Sequence, residues 1–150
     1  DEAVVMDAGK VVIQKPTKAL FRAPEKIKAA RLTGCKNIAG VKKEGFVWEI
    51  PDWGMNVEFR EERIVPEVCA VGIRAHEFEL ERPTDEPYLT FPVLKPQITE
   101  DMFEYTIRFS ASEGGKERID WKISKYQWNP EQTKVPEKIY LREKNLLLLG

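Results

Sequence analysis

The sequence predicts a mainly β fold in which a β-hairpin and two short helices precede a small β-barrel. Near the start of the chain, two β-branched runs flank an Asp-Ala-Gly turn, which is the pattern of a hairpin. Two short segments with helical spacing of apolar residues follow, separated by a proline. From residue 36 onward, many short segments alternate between apolar and polar residues, which is typical of a barrel or a sandwich.

The hairpin is expected at residues 3–13, with its turn at residues 7–9. Its arms are apolar at nearly every position, which is typical of strands that are covered on both faces. A lone hairpin is only marginally stable in water. We therefore expect it to need a partner outside this chain, and without one to be frayed or borrowed by another copy.

The two helices are expected between residues 17 and 34. Thr17 is a candidate N-cap for the first helix, which contains Leu20 and stops before Pro24. The second helix restarts there, carries apolar residues at helical spacing as far as Leu32, and ends at Gly34 as its C-terminal cap.

The stretch at residues 69–80 is interpreted as the central strand of the β-region, leading out through a polar corner with Arg74 and His76. Gly72 within it indicates a bulge or a close backbone approach. Residues 82–87 contain two prolines and no apolar anchor, and are interpreted as a linker. Further strands are expected at residues 37–41, 45–50, 55–59, 88–94, 102–110, 118–124, 138–141 and 146–149.

Composition restricts the class of protein. A chain of 150 residues with 42% hydrophobic residues can bury a core and form one domain, or one and a fraction. Its net charge of -1 gives no global reason to bind nucleic acid or an anionic membrane. No apolar run approaches the roughly 20 residues that span a bilayer, and no signal peptide is visible. The chain begins Asp-Glu-Ala without a methionine, which suggests a piece of a longer protein.

No catalytic, cofactor-binding or metal-binding residue is predicted. The nearest string to a phosphate-binding loop is Gly114-Gly115-Lys116, but Glu117 follows where Ser or Thr would be needed, so a turn is favoured. Cys35, Cys69 and His76 lack the spacing of zinc ligands, and both thiols are expected to be buried and reduced.

Several residues have two interpretations. His76 could act as a base, but a corner histidine bonded to the backbone is favoured. Arg74 could hold an anion, but a pair with a glutamate is favoured. Lys36 and Asn37, at a strand entry, could contact an oxyanion, whereas Lys42 and Lys43 are more simply part of a solvated turn. Four tryptophans could form a stacking platform for single-stranded nucleic acid, but core or interface anchors are favoured: Trp48, Trp53, Trp121 and Trp128.

Two groups of residues resemble ABC importer ATPase subunits. Residues 5–11, Val-Met-Asp-Ala-Gly-Lys-Val, followed by Pro16-Thr17, residues 20–24 and Leu32-Thr33-Gly34, resemble the end of the ATPase domain in that order. Residues 71–77, Val-Gly-Ile-Arg-Ala-His-Glu, resemble a segment of the accessory domain that follows it, in the sulfate and molybdate branch, with alanine where proline is usual.

This resemblance implies a remnant of the ATPase domain at residues 1–34 and an accessory, OB-like or TOBE-type barrel at residues 35–150. The implied function is that of a non-catalytic regulatory and dimerisation region of an importer ATPase subunit for molybdate or sulfate. Such a chain would form a homodimer, work with membrane permease subunits, and lie in the cytoplasm at the inner face of the membrane. ATP and Mg²⁺ would belong to the absent ATPase domain.

A regulatory ligand, molybdate, tungstate or sulfate, would then be contacted by Lys36, Asn37, Arg74 and His76. Two alternatives remain open. One is a purely structural dimerisation module with exposed tryptophans and no ligand. The other is an OB-like nucleic-acid binder, although no nucleic acid is expected from the balanced charge.

Overall fold

The computed structural model describes residues 2–59 and 65–150. The described chain begins with a hairpin and two helices: β1 (Glu2–Asp7), β2 (Lys10–Pro16), α1 (Thr17–Arg22) and α2 (Ile27–Leu32). Strands then follow one another: β3 (Asn37–Gly40), β4 (Lys42–Glu44), β5 (Val47–Ile50), β6 (Met55–Glu58), β7 (Ala70–Ile73), β8 (Tyr88–Pro92), β9 (Leu94–Glu100), β10 (Glu104–Ser110), β11 (Ile119–Ser124), β12 (Lys138–Arg142) and β13 (Leu147–Leu149). The predicted mainly β fold, with its hairpin and two short helices, is confirmed.

In the described residues the strands form five small antiparallel sheets, with the orders β1-β2, β4-β5-β6, β13-β7-β3, β12-β8 and β11-β10-β9. No sheet in the described residues closes into a barrel, so the predicted closed barrel is not formed by them. The physical reason is that most strands are short and pair with only one or two neighbours, so each sheet has two or three strands. Outside the sheets, Glu79 and Tyr140 form an isolated bridge, whose two N–H···O distances are 2.7 and 2.9 Å.

All four tryptophans lie inside the main core, between 0 and 5% exposed. Trp121 and Trp128 lie 6.3 Å apart between ring centroids, and Trp128 meets Tyr105 edge to face at 5.6 Å. The favoured interpretation as core anchors is confirmed. The predicted nucleic-acid stacking platform is wrong because no indole face is open to a partner. The tryptophans are also not exposed as the dimerisation module expected, but a dimer without a ligand stays a prediction.

The predicted hairpin packs on its own two helices. Val5 and Ile13 form a small core with Leu20 of α1 and Ala29 of α2. The strands pair from Glu2 to Asp7 with one register shift. The opposite face of the hairpin is open, with exposed fractions of 47% for Val4, 51% for Met6 and 58% for Val11. Exchange of the hairpin between copies concerns a second chain and stays a prediction.

Helix α2 joins the hairpin to the β-body. Ala29 faces the hairpin core, while its neighbour Ala30 packs with residues of the β-body: Cys35, Ala70, Leu147 and Leu149. Small alanine side chains on both sides let the helix lie close to both layers. Backbone bonds reinforce the contact, since Gly150 donates to the Glu25 carbonyl at 2.9 Å and accepts from the Ile27 N–H at 3.2 Å.

Four local expectations need correction. Pro16, not Thr17, occupies the N-cap of α1, because the helix begins at Thr17 itself. The central strand is limited to β7, since the backbone turns after Ile73. Cys69 is exposed, whereas Cys35 is buried as expected. Residues 82–87 are not a free linker: Pro83 is buried, and side chains of this segment are ion-paired to a later strand.

Candidate functional site

The candidate site lies where β7 ends and β3 begins. β7 is the middle strand between β13 and β3, and all four of its residues are buried. A Cβ at Gly72 would stand 3.1 Å from the Cys35 sulfur and 3.2 Å from Leu149 Cδ1. Any larger residue would have to push these two side chains aside by a few tenths of an ångström, so glycine allows the close packing that the sequence suggested. The tight packing fixes the point at which the chain leaves the sheet and Arg74 begins its reach toward the helices.

Arg74 binds the ends of both helices. Its guanidinium donates to the Thr33 carbonyl at 2.7 Å, to Thr33 Oγ1 at 2.9 Å and to the Phe21 carbonyl at 2.8 Å, and lies 5.8 Å from the Phe21 ring centroid. Carbonyls at a helix C-terminus lack intrahelical partners and favour a cation. The predicted pair with a glutamate is wrong, because within the described residues these bonds go to carbonyl and hydroxyl oxygens instead.

Asn37 is a buried cross-link between strands. Its amide nitrogen donates to the carbonyl of Ile73 in β7 at 3.1 Å and to that of Asp120 in β11 at 2.7 Å. Its amide oxygen accepts the backbone N–H of Asp120 at 2.9 Å. Both amide protons and the oxygen are thus already engaged inside the protein, so the side chain is not available to an oxyanion as predicted.

His76 pairs with a carboxylate and not with the backbone. Its Nε2 lies 2.8 Å from Glu104 Oε2 at the start of β10, and Lys122 Nζ lies 3.8 Å from the other oxygen of Glu104. The favoured backbone bond is therefore wrong. The imidazole is 63% exposed and shares the Glu104 carboxylate with a lysine, so polar contacts at the surface hold this corner together.

Lys36 is the one predicted contact with an unengaged head group. It is exposed and makes no hydrogen bond or ion pair with any residue that the structure describes. Together with Arg74 and His76 it lines a cavity of about 350 Å³. Asn37 lies outside that cavity and lines a second one, which Lys36 also reaches. The structure therefore brings three of the four predicted residues together, but two of those three are committed to intramolecular bonds.

The second cavity, here called the basic cleft, has a volume of about 450 Å³. Its lining holds four cations and two carboxylates: Lys36, Arg108, Lys116 and Arg118, with Glu117 and Asp120. Sequence reasoning missed this group. The signal was weak, because Arg108 and Arg118 come together only through the pairing of β10 with β11.

Within the basic cleft one cation is neutralised. Arg108 contacts Asp120 with Nε at 2.9 Å and Nη2 at 3.4 Å, and this pairing raises the pKa of the Arg108 guanidinium. Arg118 donates instead to the carbonyls of Lys95, at 2.7 Å, and of Arg108, at 3.5 Å. Its positive charge is held in position, and no carboxylate of residues 2–59 or 65–150 forms an ion pair with it.

The thiols and acidic residues suggest no further site. Burial raises the pKa of the Cys35 thiol, which makes it a poor nucleophile, and both cysteines are free. Among residues 2–59 and 65–150, no three histidine, cysteine or carboxylate side chains are grouped so that they could hold a metal ion. The helices in these same ranges are too short or too polar to cross a membrane.

Compared with protein-family models the chain matches none, and it matches no curated protein in sequence. Interpretation of the site therefore depends on its own geometry.

Proposed function

We propose that the chain is the non-catalytic C-terminal region of an ABC importer ATPase subunit of the sulfate and molybdate type. In this proposal the hairpin and the two helices belong to the ATPase domain. The β-body is an open relative of the OB-like, TOBE-type accessory barrel, and it regulates or dimerises the subunits at the inner face of the membrane beside the permease.

One observation carries the proposal. The residues that resemble the family come from separate stretches of the sequence, yet they contact one another. Arg74, from the Val-Gly-Ile-Arg stretch, bonds to Thr33 and Phe21, which belong to the two stretches that resemble the end of the ATPase domain. A chance match of short motifs gives no reason for such contacts, whereas a shared junction between two domains does.

The open face of the hairpin also supports this proposal. Val4, Met6 and Val11 expose apolar side chains on a strand pair that is covered on one face only. Strands that are apolar on both faces are typical of sheets with cover on each side. An ATPase body lying against this face would supply that cover.

The first test is to sequence the gene upstream of the codon for Asp1. We expect the codons upstream of Asp1 to encode a Gly-x-x-x-x-Gly-Lys-Ser/Thr loop within an ATPase domain, and the protein made from the longer frame to hydrolyse ATP with Mg²⁺. A stop codon or an unrelated domain directly upstream would contradict the proposal.

A structural role without a ligand is the second candidate, and a specific observation favours it. Three of the four residues predicted to contact an oxyanion, Asn37, Arg74 and His76, are engaged with other parts of the chain. Calorimetric titration with molybdate, tungstate and sulfate separates the two roles. Binding of any of these anions would support regulation. If none of these anions binds while sedimentation still shows a dimer, the structural role without a ligand is supported.

A further inference from the structure

The basic cleft holds more positive charge than its own carboxylates neutralise. It lies at the turn that joins β10 to β11, and it shares Lys36 and Asp120 with the cavity that Arg74 lines. The side-chain ammonium groups of Lys36 and Lys116 make no hydrogen bond or ion pair with a residue in the described ranges. Among the described residues, the Arg118 guanidinium is bound only by the carbonyl oxygens of Arg108 and Lys95. The carboxylate of Glu117 is the opposing charge, since Asp120 is paired with Arg108.

The backbone around these cations is well anchored. The N–H groups of Lys116 and Glu117 both donate to the carbonyl of Asp52, at 2.9 and 2.8 Å. Gly115 lies so close to the Trp53 carbonyl that an added Cβ would stand 2.8 Å from that oxygen. Asn37 fixes the other wall by bonding to the backbone of Asp120. Because the walls are already ordered, a ligand would not have to order them on binding.

We propose that the basic cleft binds a chain of two or more linked phosphates, either free or as part of a phosphorylated small molecule. The volume of about 450 Å³ is far larger than one tetrahedral anion. The cleft is also open to water, where each contact between exposed charges is weak. A single anion would reach few of the cations, whereas a phosphate chain contacts several at once and adds their contributions.

This binding differs from that of a nucleotide-hydrolysing loop. The cations are side chains on strands and a turn, not backbone amides at the start of a helix, and Glu117 stands where a magnesium-binding hydroxyl would be needed. The cleft is therefore assigned to binding and not to hydrolysis. The inference is independent of the proposed function, because it involves neither the hairpin nor an ATPase domain.

The test is isothermal titration of the full chain with sodium phosphate, pyrophosphate and tripolyphosphate. We expect tripolyphosphate to bind at least about tenfold more tightly than phosphate, and binding to weaken as salt is raised, because the contacts are between exposed charges. ADP is the fourth titrant. An affinity above that of pyrophosphate indicates a phosphorylated small molecule as the ligand, and an equal affinity indicates the phosphate chain alone.

The matched variants remove two charges each. Lys36→Gln/Lys116→Gln should reduce tripolyphosphate affinity at least about tenfold, since both free ammonium groups are lost. Lys10→Gln/Lys18→Gln, on the exposed hairpin and α1, removes the same net charge elsewhere and should leave the affinity unchanged. The inference is overturned if tripolyphosphate does not bind, if phosphate binds as tightly, or if both variants lose affinity equally. None of these results bears on the separate prediction that an ATPase domain is encoded upstream of Asp1.

Discussion

At the scale of single residues, Asn37 and Arg74 show how a residue that looks functional can instead hold the fold together. Each had been predicted to contact an anion, and each directs its polar atoms to distant backbone groups. The partners of Arg74 lie 41 and 53 residues away in sequence, and the Asp120 partner of Asn37 lies 83 residues away. The residue types therefore indicated that Asn37 and Arg74 make strong hydrogen bonds, but not which groups they bond to.

Removing the amide of Asn37 should destabilise the protein. Asn37→Ala leaves the Ile73 and Asp120 backbone groups without their partner, at a cost of about 1–3 kcal/mol per buried unsatisfied group. We expect the midpoint of urea unfolding to fall clearly. Lys36→Ala, one residue earlier and exposed, is the control and should change stability by less than about 0.5 kcal/mol. Equal midpoints for the two variants would show that the cross-link contributes nothing.

At the scale of the elements, α1 and α2 depend on the β-body for their C-terminal ends. Each helix has six residues, which is too short for stability in isolation. Arg74→Lys keeps the charge, but a single ammonium group cannot reproduce the planar fork that reaches both helix ends.

We expect Arg74→Lys to lower stability by about 1–2 kcal/mol, in line with loss of hydrogen bonds to a charged group. Hydrogen exchange should accelerate in residues 17–33, while β10 and β11 stay protected. Arg31→Lys, on the exposed side of α2, is the control and should exchange like the wild type. Unchanged protection of the helices in Arg74→Lys would contradict this junction role.

A second junction joins residues 79–86 to β12. Arg142 donates to Glu79 at 2.8 Å and contacts Asp85 and Glu86 at 2.9 Å each. These bonds raise the pKa of Arg142 and lower the pKa of Asp85 and Glu86 below their ordinary values of 3.8 and 4.5. A carboxylate whose pKa is lower in the folded state than in the unfolded state stabilises the fold at pH values above the unfolded-state pKa. This contribution disappears as acid protonates the carboxylate.

Arg142→Gln should therefore be less stable than the wild type at neutral pH, and the difference should shrink as the pH falls below about 4. Denaturant midpoints at both pH values measure this. Arg82→Gln, an exposed arginine in the same part of the chain, is the control and should show no pH-dependent difference. A gap between Arg142→Gln and wild type that widens in acid would refute the assignment.

At the scale of the whole molecule, the described residues form three hydrophobic cores. The hairpin core, the small core around Ala30 and the tryptophan-rich main core are joined through α2 and through Arg74. This arrangement covers one face of the hairpin and leaves the other open. The open face gives a prediction about association, because apolar area removed from water is the main driving force for contact between proteins.

We expect the isolated chain to associate as its concentration rises, through the open face of the hairpin. Val4→Thr/Val11→Thr replaces one methyl group of each valine by a hydroxyl and keeps the side-chain shape. The double variant should therefore weaken association without unfolding the protein. Sedimentation velocity measures the shift. Ile98→Thr, at an exposed position on β9, is the control and should associate like the wild type. A chain that stays monomeric at all concentrations would contradict the prediction that the open face of the hairpin mediates association.

The sequence by itself determined the mainly β class, the hairpin, both helices and the burial of the tryptophans. Each depends on local information: the apolar period, turn glycines such as Gly34, with its φ of +94°, and the cost of exposing large aromatic rings. The predicted closed barrel is not confirmed in the described residues, because closure depends on how separate sheets meet, which no local pattern specifies.

Only the tertiary structure decided which polar groups are available to a ligand. Asn37, Arg74 and His76 were assigned to a site by their type and position, and folding assigned them to partners in other strands and helices. Buried and half-buried polar groups must find hydrogen-bonding partners, and the nearest ones are chosen by the folded chain. The basic cleft appeared for the same reason, since folding brought Lys36 beside the β10–β11 hairpin, which carries the other three cations of the cleft. Two carboxylates do not neutralise all four.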